Sequence, residues 1–496
     1  MKNLKILIGI LFMFSLIGCE DFLEEDPVAF RAPTTFYSKP SEIDQAIAAV
    51  YRINRNLHNQ LQQRFGESRS DNTNIEITGD GGGFGDDQLN EFTMDAANGR
   101  ISDYWNTNYS GISRANFLLA SIDGVDYQEN VITKDARKGE AVFLRALFYF
   151  NLVRIYGDVP YVIEPGLTPD QILSEEFIER DPAAEIYVDI LNEAQTAIDL
   201  LPVTTDDPGR ATRGAALMLK AKIHMAQEQY AEARPLLQEI TTLGYSLLPN
   251  YSDVFFTRNH DEGIFEIQYS PGLDQGADFF RNYVPFVSGQ DILGDATTPN
   301  SRGNQFQPTQ NLIDLYNTQD ERFQHNISVY NDTIRDTDGN IINIDDYYWA
   351  SKFAFPFDEN QPNQQNINWQ MYRYADALLM LAECYEKVGG GDPIAIIEQI
   401  RTRAGLADPT LSASELGDLE QTIADERRRE LAFEAHRYFD LLRTGKLEEV
   451  MRAHGVDQIA NGLTVTPDAY QNIRTVIGIP FNQVLAFGFE QTPGWE

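Results

Sequence analysis

The sequence predicts a mainly α-helical protein in which helix pairs carry long irregular loops. Three observations lead there. The segment KGEAVFLRALFYFNLVRIYGDVPYV is apolar on nearly every side from Ala141 to Val153. A helix that is hydrophobic all round belongs at the centre of a fold. RATRGAALMLKAKIHMAQEQYAEARPLLQEI and YRYADALLMLAECYEKVGGGDPIAIIEQIRTRAGL each read as two helices, with small or apolar residues at helical spacing. Residues 245–370 hold only short strand-like pieces among many Asn, Gln, Asp and aromatic residues.

At the N-terminus, Lys2 and Lys5 precede an apolar run from Ile6 to Ile17. The run falls short of the roughly 20 residues a transmembrane helix needs and fits a signal-peptide core. Leu16-Ile17-Gly18-Cys19 resembles a bacterial lipobox, which makes residues 1–18 a signal peptide and Cys19 the lipidated residue. Acyl chains would then anchor the chain to a membrane, at about 0.8 kcal/mol per buried methylene. The acidic run Glu20, Asp21, Glu24, Glu25 and Asp26 follows directly.

EIDQAIAAVYRINRNLHNQL reads as an amphipathic helix, with Ile43, Ile47, Val50 and Leu57 on its apolar face. Residues 66–100 are polar and Gly-rich and predict a long loop, a class that is often functional. YWNTNYSGISRANFLLASID restores a helical pattern, which assigns Trp105, Tyr109, Ile112 and Asn116 to packing. Gly157 and Pro160 end the central helix, and Asp181-Pro182 opens the next. In the first helix pair, Ala221 is the small residue of the leading helix, and Tyr230, Ala233 and Leu237 line the second. Each pair resembles a tetratricopeptide unit, in which small residues let two helices approach closely. IFEIQY and YYWASKF predict strands, and Asp338-Gly339 a hairpin turn. In DERRRELAFEAHRYFDLLRTGK, Glu426, Glu430 and Glu434 alternate with Arg427, Arg429 and Arg437. That spacing predicts ion pairs three to four residues apart that fix helix packing.

Composition narrows function. With 75 acidic against 39 basic residues the net charge is -36. Such a chain repels polyanions, so nucleic acid is not a partner. Hydrophobic residues make up 42%, enough for a substantial core. Of the two cysteines, Cys19 belongs to the lipobox and Cys384 sits alone at an apolar helical position, so no disulfide is expected. The sequence has no nucleophile elbow, zinc helix or phosphate loop. Asp80, Asp86 and Asp87 around GGGFG do not match the EF-hand spacing, and no metal or other cofactor is expected.

GEAVFLRALFYFNLVRIYGDVPYV, ATRGAALMLKAKIHMAQ, YRYADALLMLAEC and IADERRRELAFEAHRYFDLLRTGK stand in that order. Together with the lipobox and CEDFLEEDP, they resemble the SusD/RagB family of Bacteroidetes outer-membrane lipoproteins. The closing IPFNQVLAFGFEQTPGW departs from the usual family ending. The resemblance implies a SusD-like α-helical fold with tetratricopeptide-like pairs. One compact body would comprise an N-terminal region, 19–250, and a C-terminal region, 251–496. It also implies a non-enzymatic protein at the outer membrane, lipid-anchored and facing outward. Such a protein binds a nutrient, foremost an oligosaccharide, and delivers it to a SusC-like TonB-dependent transporter. A RagB-like peptide ligand and an all-α glycosidase are the alternatives.

The family motifs are scaffold and leave the ligand site open. The two irregular regions are where it is expected. Asp71, Asn72 and Phe84 come from the 66–100 loop, and Phe279, Phe280, Arg281 and Tyr283 from the 270–310 segment. Phe84 leads, because its Gly-rich flanks give it nothing to pack within. Tyr347, Tyr348 and Trp349 are the fallback.

Overall fold

A computed structural model describes residues 37–75, 84–127, 131–165, 179–270, 276–284, 306–335, 341–354, 366–463 and 465–496. The expected signal peptide, Cys19, Asp80 and Asp338-Gly339 lie outside these residues.

Helix α1 (Pro40–Gln60) buries the predicted face of Ile43, Ile47, Val50 and Leu57. A short α2 (Gln62–Gly66) follows, then β1 (Thr73–Asn74) and α3 (Phe84–Glu91). Helices α4 (Gly99–Ile122) and α5 (Val131–Tyr156) pack side by side at the centre. Their contact is close: a Cβ on Gly111 would come within 2.3 Å of the Phe148 ring. The run from Ala141 to Val153 is buried except for Arg145, which the apolar sequence predicts. Gly157, at φ +71°, turns the chain out of α5.

The next helices stack in order: α6 (Ala183–Leu200), α7 (Arg213–Met225), α8 (Tyr230–Ile240), α9 (Tyr374–Val388) and α10 (Pro393–Arg403). Ala221 of α7 is fully buried, as a close helix contact requires. Cys384 of α9 lies beside Met225 Sδ, and burial first of all pushes its thiol up to about 12, which makes it inert. The chain closes with α11 (Leu419–Glu430), α12 (Arg437–Arg443), α13 (Leu447–Ala460) and α14 (Phe481–Phe487). Among the described residues no helix is long and apolar enough to cross a membrane.

The strands are few and paired in twos. β2 (Gly263–Ile267) pairs antiparallel with β6 (Trp369–Arg373), and β1 with β3 (Gln307–Pro308). β4 (Ile327–Arg335) and β5 (Ile341–Ala350) pair antiparallel. The IFEIQY and YYWASKF strands are therefore present.

Two expectations need correction. Residues 66–75 are not a loose loop. Glu67 through Asn74 are all buried, and the stretch is crossed by ion pairs and hydrogen bonds. Residues 84–91 are helical. The acid–arginine pairs around α11 are also mostly not local. Glu430 accepts from Arg322 Nη1 (3.0 Å), Arg373 Nη1 (2.6 Å) and Arg403 Nη2. Glu426 accepts from Arg322 (2.7 Å) and Arg401 (2.9 Å), and Glu434 from Arg373 (2.7 Å) and Lys352. Arg427 reaches Asp376 and Asp440, while Arg437 reaches Asp71. Only Arg429–Glu426 keeps the expected spacing. The physical reason is burial. Glu426 and Glu430 face the interior, so their charges must be met by cations from the elements packed against them.

Candidate functional site

Of the residues expected at the site, Asp71, Asn72, Phe279, Phe280 and Tyr283 are buried. Asp71 is buried and pairs with Arg437 (2.8 Å) and Arg428 (3.1 Å). Burial alone would raise its pKa, but the two guanidiniums outweigh it and hold the carboxyl well below the usual carboxylate range. Asn72 accepts from Arg428 Nε (2.7 Å) and donates to Glu67 (2.9 Å). Phe279 is fully buried and meets Phe353 and Trp369 edge to face at 5.3 and 5.0 Å. Phe280 is buried beside it, and Arg281 lies over the Phe280 ring at 5.7 Å. Tyr283 stacks on Phe306 at 4.4 Å and donates its hydroxyl to Phe433 O (3.0 Å).

The two segments do converge. Glu67 accepts the Phe433 and Ala435 backbone N–H groups, and Tyr283 binds the Phe433 carbonyl. They meet inside the protein, so these polar and aromatic groups are used by the fold. Phe84 is the first residue of α3, which contradicts the loop setting that favoured it. Of the fallback set, Trp349 is buried and Tyr347 and Tyr348 are half-buried on β5. Asp86 pairs with Arg64 and Arg100, both at 2.8 Å. Among the described residues no cluster of three His, Cys, Asp or Glu could hold a metal.

A different concavity has the shape and lining of a binding site. It is about 790 Å³ and lies between α4, residues 160–164 and α14. That falls within the ~300–1,000 Å³ of ordinary ligand sites. Its floor is Trp105, which meets Tyr156 edge to face (5.0 Å, 85°) and Tyr109 at a tilt (4.9 Å, 42°). The helical spacing of Trp105, Tyr109, Ile112 and Asn116 does put all four on one face of α4. That face packs and also lines the groove.

The second wall is tied to the first. Tyr109 donates its hydroxyl to Pro160 O (2.8 Å), and Asn116 Nδ2 donates to Val162 O (2.8 Å). Tyr149 accepts the Val162 N–H (2.7 Å). The third wall is the C-terminal helix. Phe481 N donates to Ala96 O (2.8 Å), and Gln483 Nε2 donates to Asn106 Oδ1 (3.2 Å). Gly488 ends α14 in the left-handed conformation, φ 71°, which any side chain would strain. That turn brings Phe489 back to within 6.4 Å of Trp105, with Phe487 5.7 Å from Phe489. The departure at the C-terminus therefore builds a wall of the groove. Asn106, Ser110 and Ser113 expose polar groups along its rim, and Glu164 and Gln483 add a carboxylate and an amide. Aromatic faces beside amides and hydroxyls can cover apolar C–H surfaces and satisfy hydroxyl groups together.

Sequence reasoning missed Gln483, Phe487 and Phe489. The available signal was the aromatic pair flanking Gly488 in AFGFEQ.

Residues 325–484 match a family model described as SusD family, and residues 21–225 one described as starch-binding associating with outer membrane. SusD-like protein P25 of Formosa agariphila is 30% identical, over 91% of this chain and 92% of that protein. Starch-binding protein SusD of Bacteroides thetaiotaomicron is 25% identical over 30% of this chain and 26% of its own. A solved laminarin binding SusD-like protein superposes with a TM-score of 0.70 at 26% identity, covering 92% of this chain and 100% of that one. The sequence motifs, the helical architecture and a relative matched along almost its whole length agree, and the chain belongs to the SusD family.

Proposed function

We propose that the protein binds a glycan without cleaving it, in the groove floored by Trp105 and walled by Phe487 and Phe489. The carrying observation is that convergence of aromatic faces with Asn106, Ser110 and Gln483 in one concavity. Relatives described as starch-binding and laminarin binding support a carbohydrate ligand. The protein is a lipoprotein held to the outer membrane through Cys19 and facing outward. It passes its ligand to a SusC-like TonB-dependent transporter, the partner that the SusD/RagB resemblance implies.

The test is calorimetric titration of the chain from residue 19 with laminari- and malto-oligosaccharides. Stacking on an aromatic face contributes about 0.5–1.5 kcal/mol, so Phe487→Ala should weaken binding roughly 2- to 12-fold. Phe487 is only partly buried, so the thermal midpoint should hold. Unchanged binding in Phe487→Ala and Gln483→Ala, with loss in Phe84→Ala, would move the site to α3. Binding of peptides alone, or release of shorter glycans, would overturn the reading itself.

A further inference from the structure

A second concavity, about 370 Å³, runs into the helical scaffold between α5, α7, β6, α9 and α12. That volume lies within the ~300–1,000 Å³ of small-molecule sites. It shares no residue with the groove. Glu228 and Thr475 in its lining are exposed and mark its mouth. Trp369, 2% exposed, marks its inner end, and its indole N–H meets no acceptor among the described residues.

Four cations line the cavity: Arg154, Lys222, Arg427 and Arg443. Three of them are matched by carboxylates. Lys222 pairs with Asp376 (2.6 Å), and Arg427 with Asp376 (2.9 Å) and Asp440 (3.0 Å). Arg443 pairs with Glu383 (2.5 Å) and Asp440 (3.0 Å). His58 and His436 add no charge, because burial first of all lowers both to about 4.

Arg154 differs. Its guanidinium carbon stands 4.0 Å from the centre of the Phe150 ring and 3.8 Å from that of Phe439. One edge of the group is used: Nε donates to Phe150 O (3.2 Å) and Nη2 to Asn151 Oδ1 (2.8 Å). Nη1 reaches no acceptor among the described residues, which leaves the Nη1–Nη2 end open. No described carboxylate pairs with it. Burial lowers its pKa from the ordinary arginine value, and the groups that oppose burial most are tyrosines.

A charge withdrawn from water without a counter-charge is costly, and a bound anion would relieve that cost. The end of a guanidinium matches the two oxygens of a carboxylate. One unmatched positive charge calls for one negative charge, and Glu228 and Asp440 in the same lining repel a polyanion. Leu147, Met371, Tyr372 and Met380 supply apolar surface for the body of the ligand.

We propose that this cavity binds a small monocarboxylate bearing an apolar ring. The carboxylate lies on the open end of Arg154, and the ring against Leu147, Met371 and Tyr372. This rests on the cavity alone and is independent of the glycan reading.

The experiment is calorimetric titration of the chain from residue 19 with phenylacetate, its neutral counterpart phenylacetamide, and inorganic phosphate. A charge-assisted, two-point contact should make the acid bind roughly tenfold tighter than the amide. Arg154→Gln should erase that preference and leave amide binding unchanged. Thr475→Trp, at the exposed mouth, should keep the thermal midpoint and weaken both probes several-fold; it decides the matter even if Arg154→Gln does not fold. No binding of phenylacetate, equal binding of acid and amide, or a preference that survives Arg154→Gln would each overturn the proposal. So would phenylacetate binding that Thr475→Trp leaves unchanged, or inorganic phosphate binding as tightly as phenylacetate. Loss of phenylacetate binding in Phe487→Ala would place the probe in the groove and overturn it as well. Failure of the glycan reading shows separately, as no response of neutral oligosaccharides to Phe487→Ala.

Discussion

Replacing Glu430 by Gln should cost more stability than any surface change, and the structure fixes the scale. The Glu430 carboxylate receives three guanidiniums, and the side chains involved are at most 4% exposed. Burial alone would raise its pKa, but Arg403, Arg373 and Arg322 outweigh burial and hold it well below the usual carboxylate range. Gln keeps the shape and one acceptor oxygen. Its NH₂ group then faces arginine donors, and the anion is gone. Removing one partner from a buried ion pair typically costs about 3–5 kcal/mol. The three arginines are not orphaned. Arg322 keeps Asp320 and Glu426, Arg373 keeps Glu262 and Glu434, and Arg403 keeps Glu262. The loss should therefore be about 3–5 kcal/mol, not three times that.

Urea unfolding followed by far-UV circular dichroism at pH 7 measures it, with the slope checked for constancy. The pH dependence supplies a second, independent readout. A carboxyl with a depressed folded pKa stabilises fully above its unfolded value and loses that contribution as pH falls toward its folded value. Glu426, for which burial is likewise outweighed by arginines, is lowered to about 2 and behaves alike. The gap between wild type and Glu430→Gln should thus be constant above about pH 5 and close progressively below pH 4.5. A variant within about 0.5 kcal/mol of wild type at pH 7 would refute the reasoning, and so would a gap that does not shrink in acid.

Gly111→Ala should destabilise by about 1–3 kcal/mol, because its new methyl group meets Phe148 between α4 and α5. Gly99→Ala at the start of α4 meets nothing within 4 Å and should be neutral or stabilising by up to ~1 kcal/mol; equal thermal shifts in the two variants would contradict the close-approach argument. Cys19→Ala in the full chain should abolish labelling by radioactive fatty acid and recovery in the outer-membrane fraction; retention of both would remove the lipid anchor from the proposal.

The helices were legible wherever burial follows apolar pattern. The Ala141–Val153 run, the α1 face and the two helix pairs all declare themselves through hydrophobic spacing. The stretch GESRSDNTN was illegible for the opposite reason. Its residues are polar, so periodicity reads it as solvent-exposed. Yet Asp71 and Asn72 are buried because Arg428 and Arg437, more than 350 positions away, supply what water would have supplied. The same blindness turned the α11 carboxylates into local pairs. Spacing along one helix cannot reveal that Arg322, Arg373 and Arg403 converge on Glu430 from other elements.

The groove was hidden by a related nonlocality. Trp105 reads as packing, and it does pack; its second use depends on a C-terminal helix some 380 positions later. This separates the molecule into two energetic tasks. The buried network joins residues 262, 320–322, 352, 373, 401–403 and 426–434. The groove is built from residues 105–117, 160–164 and 483–489. They share no side chain. Substitutions without shared partners are usually additive to within about 0.5 kcal/mol. Glu430→Gln should therefore lower stability and spare glycan affinity under folding conditions, whereas Phe487→Ala should do the reverse. The double variant should show both effects undiminished. A coupling well above that limit would mean that the network transmits its strain to α4 and the groove.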